Sequence, residues 1–310
     1  MTQKTINTES SWFGVLRIQA GRRRAATFGL MLALAGVLAL FLPTLGRTLS
    51  GHPPIGFHLA FYGGLAAFAA TALGGLPALV MRSLPQRIED SLLGMAAGMM
   101  LAASAFSLLL PGLASGAGIL GSKPLGAGVV VIGMALGVLL MLGLDAFTPH
   151  AHTQSGSFGP GTNRYSRVWL FVFAIALHNL PEGMAIGVGF SQGDWSVGLP
   201  LTTAIALQDI PEGLAVALAL RTAGFTPWKS VLVAAATGLL EPLGALLGVG
   251  LSSGMALAYP TGLGLAAGAM IFVVSHEVIP ETHRNGHQTP ATLGLMLGFA
   301  LMMVLDTTLG

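Results

Sequence analysis

The amino-acid sequence predicts an all-α integral membrane protein with about nine transmembrane helices, and three observations carry that prediction. Hydrophobic residues make up 53% of the chain and charged residues 8%, with a mean hydropathy of +0.77, far from the balance of a water-soluble domain. Nine apolar runs are each long enough to cross a bilayer as a helix. The connections between them are short and rich in Gly, Pro and Ser, which leaves no room for a domain outside the membrane. The absence of cysteine excludes disulfides, thiolate metal sites and a cysteine nucleophile. The basic residues form nothing like a nucleic-acid patch, so the expected surroundings are the lipid bilayer and no nucleic acid.

Residues 1–24 form a polar segment, in which Trp12, Phe13 and Leu16 near Arg17 suit an interfacial amphipathic stretch. Arg22, Arg23 and Arg24 then precede the apolar run 25–45, a pattern that imitates a signal peptide. The run is too long for a signal core and no clear small-residue cleavage site follows it, so it is expected to stay as the first span. The other spans are expected at 57–81, 89–113, 126–147, 168–190, 197–220, 230–251, 261–281 and 292–309. An odd number of spans places the termini on opposite sides. With the N-terminus in the cytoplasm, only Arg47 and Lys123 of the 14 Lys and Arg fall outside, which fixes the orientation by the positive-inside rule.

Two spans carry copies of one phrase, Ala-Leu-His178-Asn179-Leu-Pro181-Glu182-Gly and Ala-Leu-Gln208-Asp209-Ile-Pro211-Glu212-Gly. On a helix His178 and Glu182 are i,i+4 and differ by only ~40° of rotation, and Gln208 and Glu212 repeat that geometry. Asn179 and Asp209 point about 100° away, into an adjoining sector. Polar groups at mid-membrane depth are costly and mark an ion or substrate path. Pro181 and Pro211 lack the N–H that would bond the carbonyls of Leu177 and Leu207, so each phrase is expected to interrupt its own helix and to free an oxygen.

A larger repeat flanks the two phrases. Residues 93–100 and 263–270 share the pattern Leu-Gly-x-Ala-Ala-Gly-x-Met, and residues 136–145 match 297–306, each ending in Leu-Asp. The second and seventh spans correspond more weakly, around Thr71 to Pro77 and Thr237 to Pro242. Partners stand five spans apart and therefore run in opposite directions, an inverted repeat of three helices around the two motif helices. Inverted repeats with a mid-membrane site are the architecture of secondary transporters. Small residues at Gly94 and Gly98, and at Gly264 and Gly268, read as close-packing faces along which one bundle is expected to slide on another.

The two phrases, followed by Glu241-Pro242, resemble the ZIP family (Zrt/Irt-like proteins) of divalent-metal transporters, in particular its bacterial GufA-like branch. The resemblance covers the chain from about residue 57 onward. It implies a 3+2+3 core of eight helices at 57–309, with 25–45 as an extra helix. It further implies uptake of divalent metal into the cytoplasm through a binuclear site between the motif helices, in a bacterial inner membrane. A homodimer is compatible with it. The loop after residue 147, often histidine-rich in relatives, here carries only His150 and His152.

Within that reading His178, Glu182, Gln208 and Glu212 form one set of ligands, and Asn179, Asp209, Glu212 and Glu241 a second, all-oxygen set, with Glu182 and Glu212 bridging the two. An oxygen-rich set without thiolate suits an ion held reversibly. Zn²⁺ is the favoured bound and transported ion, Cd²⁺ a substitute, and Fe²⁺ and Mn²⁺ stay open. Metal binding must displace protons from the carboxylates, so flux is expected to fall in acid. His276, Glu277 and Asp145 are expected to serve as exit ligands, and Ser107 and Asp306 as entrance groups. Met100 and Met270 are repeat partners near a soft ion's path. His150, His152, His283 and His287 read either as collectors of released metal or, at least as well, as solvated residues, and His52 and His58 as outer-surface residues. The main rival is an intramembrane metal-dependent hydrolase with Glu212 as general base, which the absence of His-Glu-x-x-His disfavours. A metal exporter or a channel would use the same ligands; a carrier is favoured because inverted repeats encode alternating access.

Overall fold

The protein is described by a computed structural model covering residues 19–147, 150–152, 156–158 and 167–310. The interfacial segment around Trp12 and Phe13 lies outside the described residues, and for residues 150–152, 156–158 and 167 only the backbone is described. Nine helices long and apolar enough to span a membrane are found among the described residues. They are α1 (Arg24–Leu49), α2 (Phe57–Leu79), α3 (Gln86–Leu120), α4 (Lys123–Phe147), α5 (Val168–Phe190), α6 (Trp195–Thr222), α7 (Pro227–Ser252), α8 (Ala258–His283) and α9 (Gln288–Leu309). Between α4 and α5 a short antiparallel hairpin pairs β1 (His150–His152) with β2 (Gly156–Phe158), His150 opposite Phe158.

The helices depart from the expected spans in ways that trace to proline. Pro181 and Pro211 sit inside unbroken helices and do not interrupt them. The interruptions fall elsewhere. Within α7 the helix breaks at Gly238–Leu239. Pro242 has no N–H to give the Gly238 carbonyl, and the Glu241 N–H takes that carbonyl instead at 3.1 Å, a tightened i→i+3 turn beside the Glu241 side chain. α3 reaches Leu120, where the sequence suggested an end at residue 113, because it absorbs Pro111 through a π segment at Ser104–Leu109. There Leu110 N–H bonds Ala105 O, a five-residue step. α8 does the same before Pro280, with a π segment at Val274–Val278 and Ile279 N–H bonding Val274 O. Widened turns of this kind occur most often at functional positions.

The inverted repeat holds residue by residue in the packing. A Cβ added at Gly94 or Gly98 of α3 would strike the carbonyl of Ala291 or Leu295 on α9. Their repeat partners Gly264 and Gly268 of α8 meet Val130 and Met134 on α4. Reciprocally, Gly294 and Gly298 meet Ser91 and Met95, while Gly133 and Gly137 meet Thr261 and Leu265. The motif helices obey the same rule: Gly183 of α5 abuts the Glu241 carbonyl on α7, and Gly213 of α6 abuts the Thr71 carbonyl on α2. Gly74 then meets Ile210 as Gly244 meets Leu180. These contacts set the register of the second and seventh spans, which the sequence matched only loosely. Thr71 corresponds to Glu241 and Gly74 to Gly244, and the segments Thr71-Ala-Leu-Gly-Gly-Leu and Glu241-Pro-Leu-Gly-Ala-Leu align accordingly.

Two four-helix bundles result. α2, α5, α6 and α7 pack together around the motif residues, and α3, α4, α8 and α9 form the second group. In a membrane, where lipid and side chains are equally apolar, close backbone contact at small residues supplies much of the association. The Gly94–Gly98 and Gly264–Gly268 faces therefore lock α3 to α9 and α8 to α4 inside one bundle; they are not the smooth surface between bundles that the sequence suggested. α1 has no repeat partner. It lies outside, touching α4 through Gly29 and Gly36 against Leu139 and Leu136, and α7 through Phe41 against Gly250.

Candidate metal centre

α5 and α6 cross the centre of their bundle with the two phrases side by side. His178, Asn179, Glu182, Gln208, Asp209 and Glu212 are all buried, as is Glu241 on α7, none more than 3% exposed. The glycine after each motif glutamate explains the closeness of the neighbours, since α7 and α2 come in where a larger side chain would stand.

The carboxylates gather more tightly than two separate ligand sets would. Glu182, Asp209 and Glu212 each present an oxygen within 4.8 Å of the others. Glu182 thus reaches Asp209 of the second set as well as Glu212, the position expected of a residue between the two sets. Gln208 Nε2 donates to Glu182 Oε1 at 2.5 Å. Asn179 Nδ2 donates to Glu241 Oε1 at 3.2 Å, which places these two together as the sequence expected. The oxygens left over are informative. Glu182 Oε2, Gln208 Oε1, both carboxylate oxygens of Asp209 and of Glu212, and Glu241 Oε2 are buried and have no hydrogen-bond donor among the described residues. Buried acceptors without donors are costly, and a hard or borderline cation is the partner that satisfies several at once. The donor set therefore fits a divalent metal ion as cargo.

The flanking residues are placed as follows. His178 Nε2 lies 2.9 Å from Glu277 Oε2, across from α5 to α8. Glu277, expected on the exit path, is therefore in contact with the motif itself, and its position within the π segment of α8 brings it there. Its neighbour His276 is exposed and stacks on Phe272, ring centroids 5.0 Å apart. Asp145 is buried near the C-terminal end of α4. Ser107, in the π segment of α3, donates to Asp306 Oδ1 on α9 at 2.6 Å, so the two expected entrance groups form one pair. Met100 and Met270 are fully buried core residues. His287 bonds Asp90 Oδ2 at 2.8 Å and His283 bonds its own helix at the Ile279 carbonyl, both as contacts within the protein. His52 and His58 are exposed.

One residue at the centre was not singled out by sequence reasoning. Thr71, on α2, donates its hydroxyl to Glu241 Oε1 at 2.6 Å and is 1% exposed. The signal was present in the alignment of Thr71-Ala-Leu-Gly with Glu241-Pro-Leu-Gly, which the weak likeness of the two spans obscured.

Comparison with known proteins places the chain among zinc transporters by sequence. The family model described as "ZIP Zinc transporter" matches residues 150–306. The chain is 62% identical over 297 residues to the zinc transporter ZIPB of Bordetella bronchiseptica, covering 96% of each protein. It is 42% identical over 246 residues to the zinc transporter GufA of Myxococcus xanthus, covering 79% of this chain and 97% of that one. Human zinc transporter ZIP11 is 29% identical over 346 residues, with 84% of this chain and 100% of that protein aligned.

Proposed function

Since the chain belongs to the ZIP family of zinc transporters, we propose that it carries Zn²⁺ across a bacterial inner membrane into the cytoplasm, through a binuclear site on α5, α6 and α7. The observation that carries the reading is the set of buried oxygens without donors among the described residues, on Glu182, Gln208, Asp209 and Glu212 at the middle of two pseudo-symmetric helices and on Glu241 beside them. Among the described residues no Lys or Arg is hydrogen-bonded to these oxygens, so the charge they carry when ionised is met by the passing ion. His178 adds the one imidazole, which favours Zn²⁺ and admits Cd²⁺ over a harder ion. The N-terminus lies in the cytoplasm and the C-terminus outside, as the distribution of Lys and Arg requires.

The same architecture supports a carrier. The metal centre belongs wholly to the α2, α5, α6 and α7 bundle, whereas Ser107, Asp306, Asp145, His276 and Glu277 belong to the other. Each bundle is locked internally by glycine contacts against backbone carbonyls, so the natural plane of motion lies between them. The Ser107–Asp306 pair would meet the ion on the outer side, and Glu277, released from His178, on the inner side.

The test is metal influx into vesicles holding the full-length protein. Saturating uptake of Zn²⁺ and Cd²⁺, weaker uptake of Fe²⁺ and Mn²⁺, and loss of all of it in Glu182→Ala with Glu212→Ala are expected. Zn²⁺ influx that survives the double substitution in correctly inserted protein would remove the site from the transport path.

A further inference from the structure

Thr71 and Glu241 occupy equivalent positions in the two halves of the inverted repeat, yet only Glu241 is a carboxylate. Gly213 abuts the Thr71 backbone as Gly183 abuts that of Glu241, so both side chains enter the bundle at the same level from opposite helices. They meet there. Thr71 Oγ1 lies 2.6 Å from Glu241 Oε1 and 3.4 Å from its other acceptor, the Ala67 carbonyl, so the hydroxyl proton belongs to the glutamate. Asn179 Nδ2 reaches the same Oε1 at 3.2 Å. An ionised carboxylate oxygen offers about two lone-pair sites. Oε1 is therefore filled by its two donors, while Oε2 has none among the described residues.

We propose that Thr71 is a positioning residue of the metal centre: with Asn179 it occupies Glu241 Oε1, fixes the carboxylate plane, and leaves Oε2 as the single oxygen Glu241 offers the transported ion. A glutamate bound this way is a one-atom ligand, which limits how tightly the second metal can be held and favours its release. The missing Cβ at Gly238 supports the arrangement, because an added one would stand 3.0 Å from Thr71 Cβ and 3.2 Å from Glu241 Oε1. Three helices, α2, α5 and α7, are joined at one oxygen atom, all within the bundle that carries the site. The inference rests on the reading of Glu241 as a ligand of that site.

The experiment measures Zn²⁺ binding to the full-length protein in lipid nanodiscs by titration. Thr71→Val keeps the shape and removes the hydroxyl, Thr71→Ala removes it where valine fails to insert, and Thr71→Ser keeps it. Loss of a hydrogen bond to a charged group corresponds to a weakening of about tenfold for the hydroxyl-free variants, with serine restoring most of the affinity. The role is distinguished from general destabilisation by repeating Thr71→Val in Glu241→Ala protein, where its effect should shrink to within about twofold. If Thr71→Val and Thr71→Ala bind Zn²⁺ as the unaltered protein does, or lose the same factor with Glu241 present and absent, Thr71 does not position Glu241. If Glu241→Ala alone leaves Zn²⁺ binding and influx unchanged, the fault lies with the assignment of Glu241, and both readings fail.

Discussion

Placing a methyl group on the glycine of each Pro-Glu-Gly phrase should disable the metal centre without touching any ligand. In Gly213→Ala the new Cβ would lie 2.1 Å from the Thr71 carbonyl oxygen, and in Gly183→Ala 2.1 Å from that of Glu241. Ordinary contact begins at 3.4 Å, so α6 must part from α2, or α5 from α7, by about the 1.3 Å difference. Alanine improves helix propensity by roughly 0.5–1 kcal/mol, but overpacking costs roughly 1–3 kcal/mol, so the balance is destabilising. The larger effect falls on function, since a misplacement of about 1 Å in a site can cost on the order of 10²-fold. Gly98→Ala is the control for stability alone. Its Cβ would stand 1.9 Å from the Leu295 carbonyl, as severe a clash, but in the bundle that lacks the motif ligands. Gly118→Ala, with nothing within 4 Å, is the control for the substitution itself. The assay is thermal unfolding of purified protein beside Zn²⁺ titration and vesicle influx. All three clashing variants but not Gly118→Ala should lose stability, and only Gly183→Ala and Gly213→Ala should lose Zn²⁺ affinity, by at least about tenfold. Unaltered affinity and influx in Gly213→Ala would refute the claim that this contact sets the geometry of the site.

Two further outcomes are expected. Glu212→Ala should abolish Zn²⁺ influx more completely than Asn179→Ala or Asp209→Ala, because Glu212 is placed to serve both ligand sets; vesicle uptake at matched protein insertion checks this. Single cysteines, placed freely in a chain that has none, should react with an impermeant thiol reagent only from the cytoplasmic side at Gly156 and His287, and only from outside at Gly193; the same sidedness at Gly156 and Gly193 would overturn the orientation.

The sequence disclosed the spans and the ligand types because both are local properties. Hydropathy marks a membrane helix within a window of about 20 residues, and a doubled phrase of His, Asn, Gln, Asp and Glu at mid-membrane depth has few explanations. What it concealed depends on contacts between distant segments. His178 meets Glu277 across 99 positions, and nothing near either residue announces the pairing. The π segments at Ser104–Leu109 and Val274–Val278 leave no mark in the hydropathy of their spans, because hydrogen-bond register is not a property of composition. Pro181 and Pro211 suggested breaks in helices that continue, and the loose likeness of α2 to α7 gave no residue register until the backbone contacts of Gly74 and Gly244 set it. Gly94, Gly98, Gly264 and Gly268 were legible as packing faces but not as to which helix they faced, since small-residue spacing carries no partner identity.

The central claim is that the buried oxygens of α5 and α6 hold the transported zinc. Anomalous diffraction at the zinc absorption edge, from crystals of the full-length protein grown with Zn²⁺, tests it most directly. The account predicts zinc at about 2.0–2.2 Å from carboxylate oxygens of Glu182, Asp209 or Glu212, with a second ion reached by Glu241 Oε2. Zinc found only at the loop histidines, with none between α5 and α6 in protein that transports it, would contradict the account.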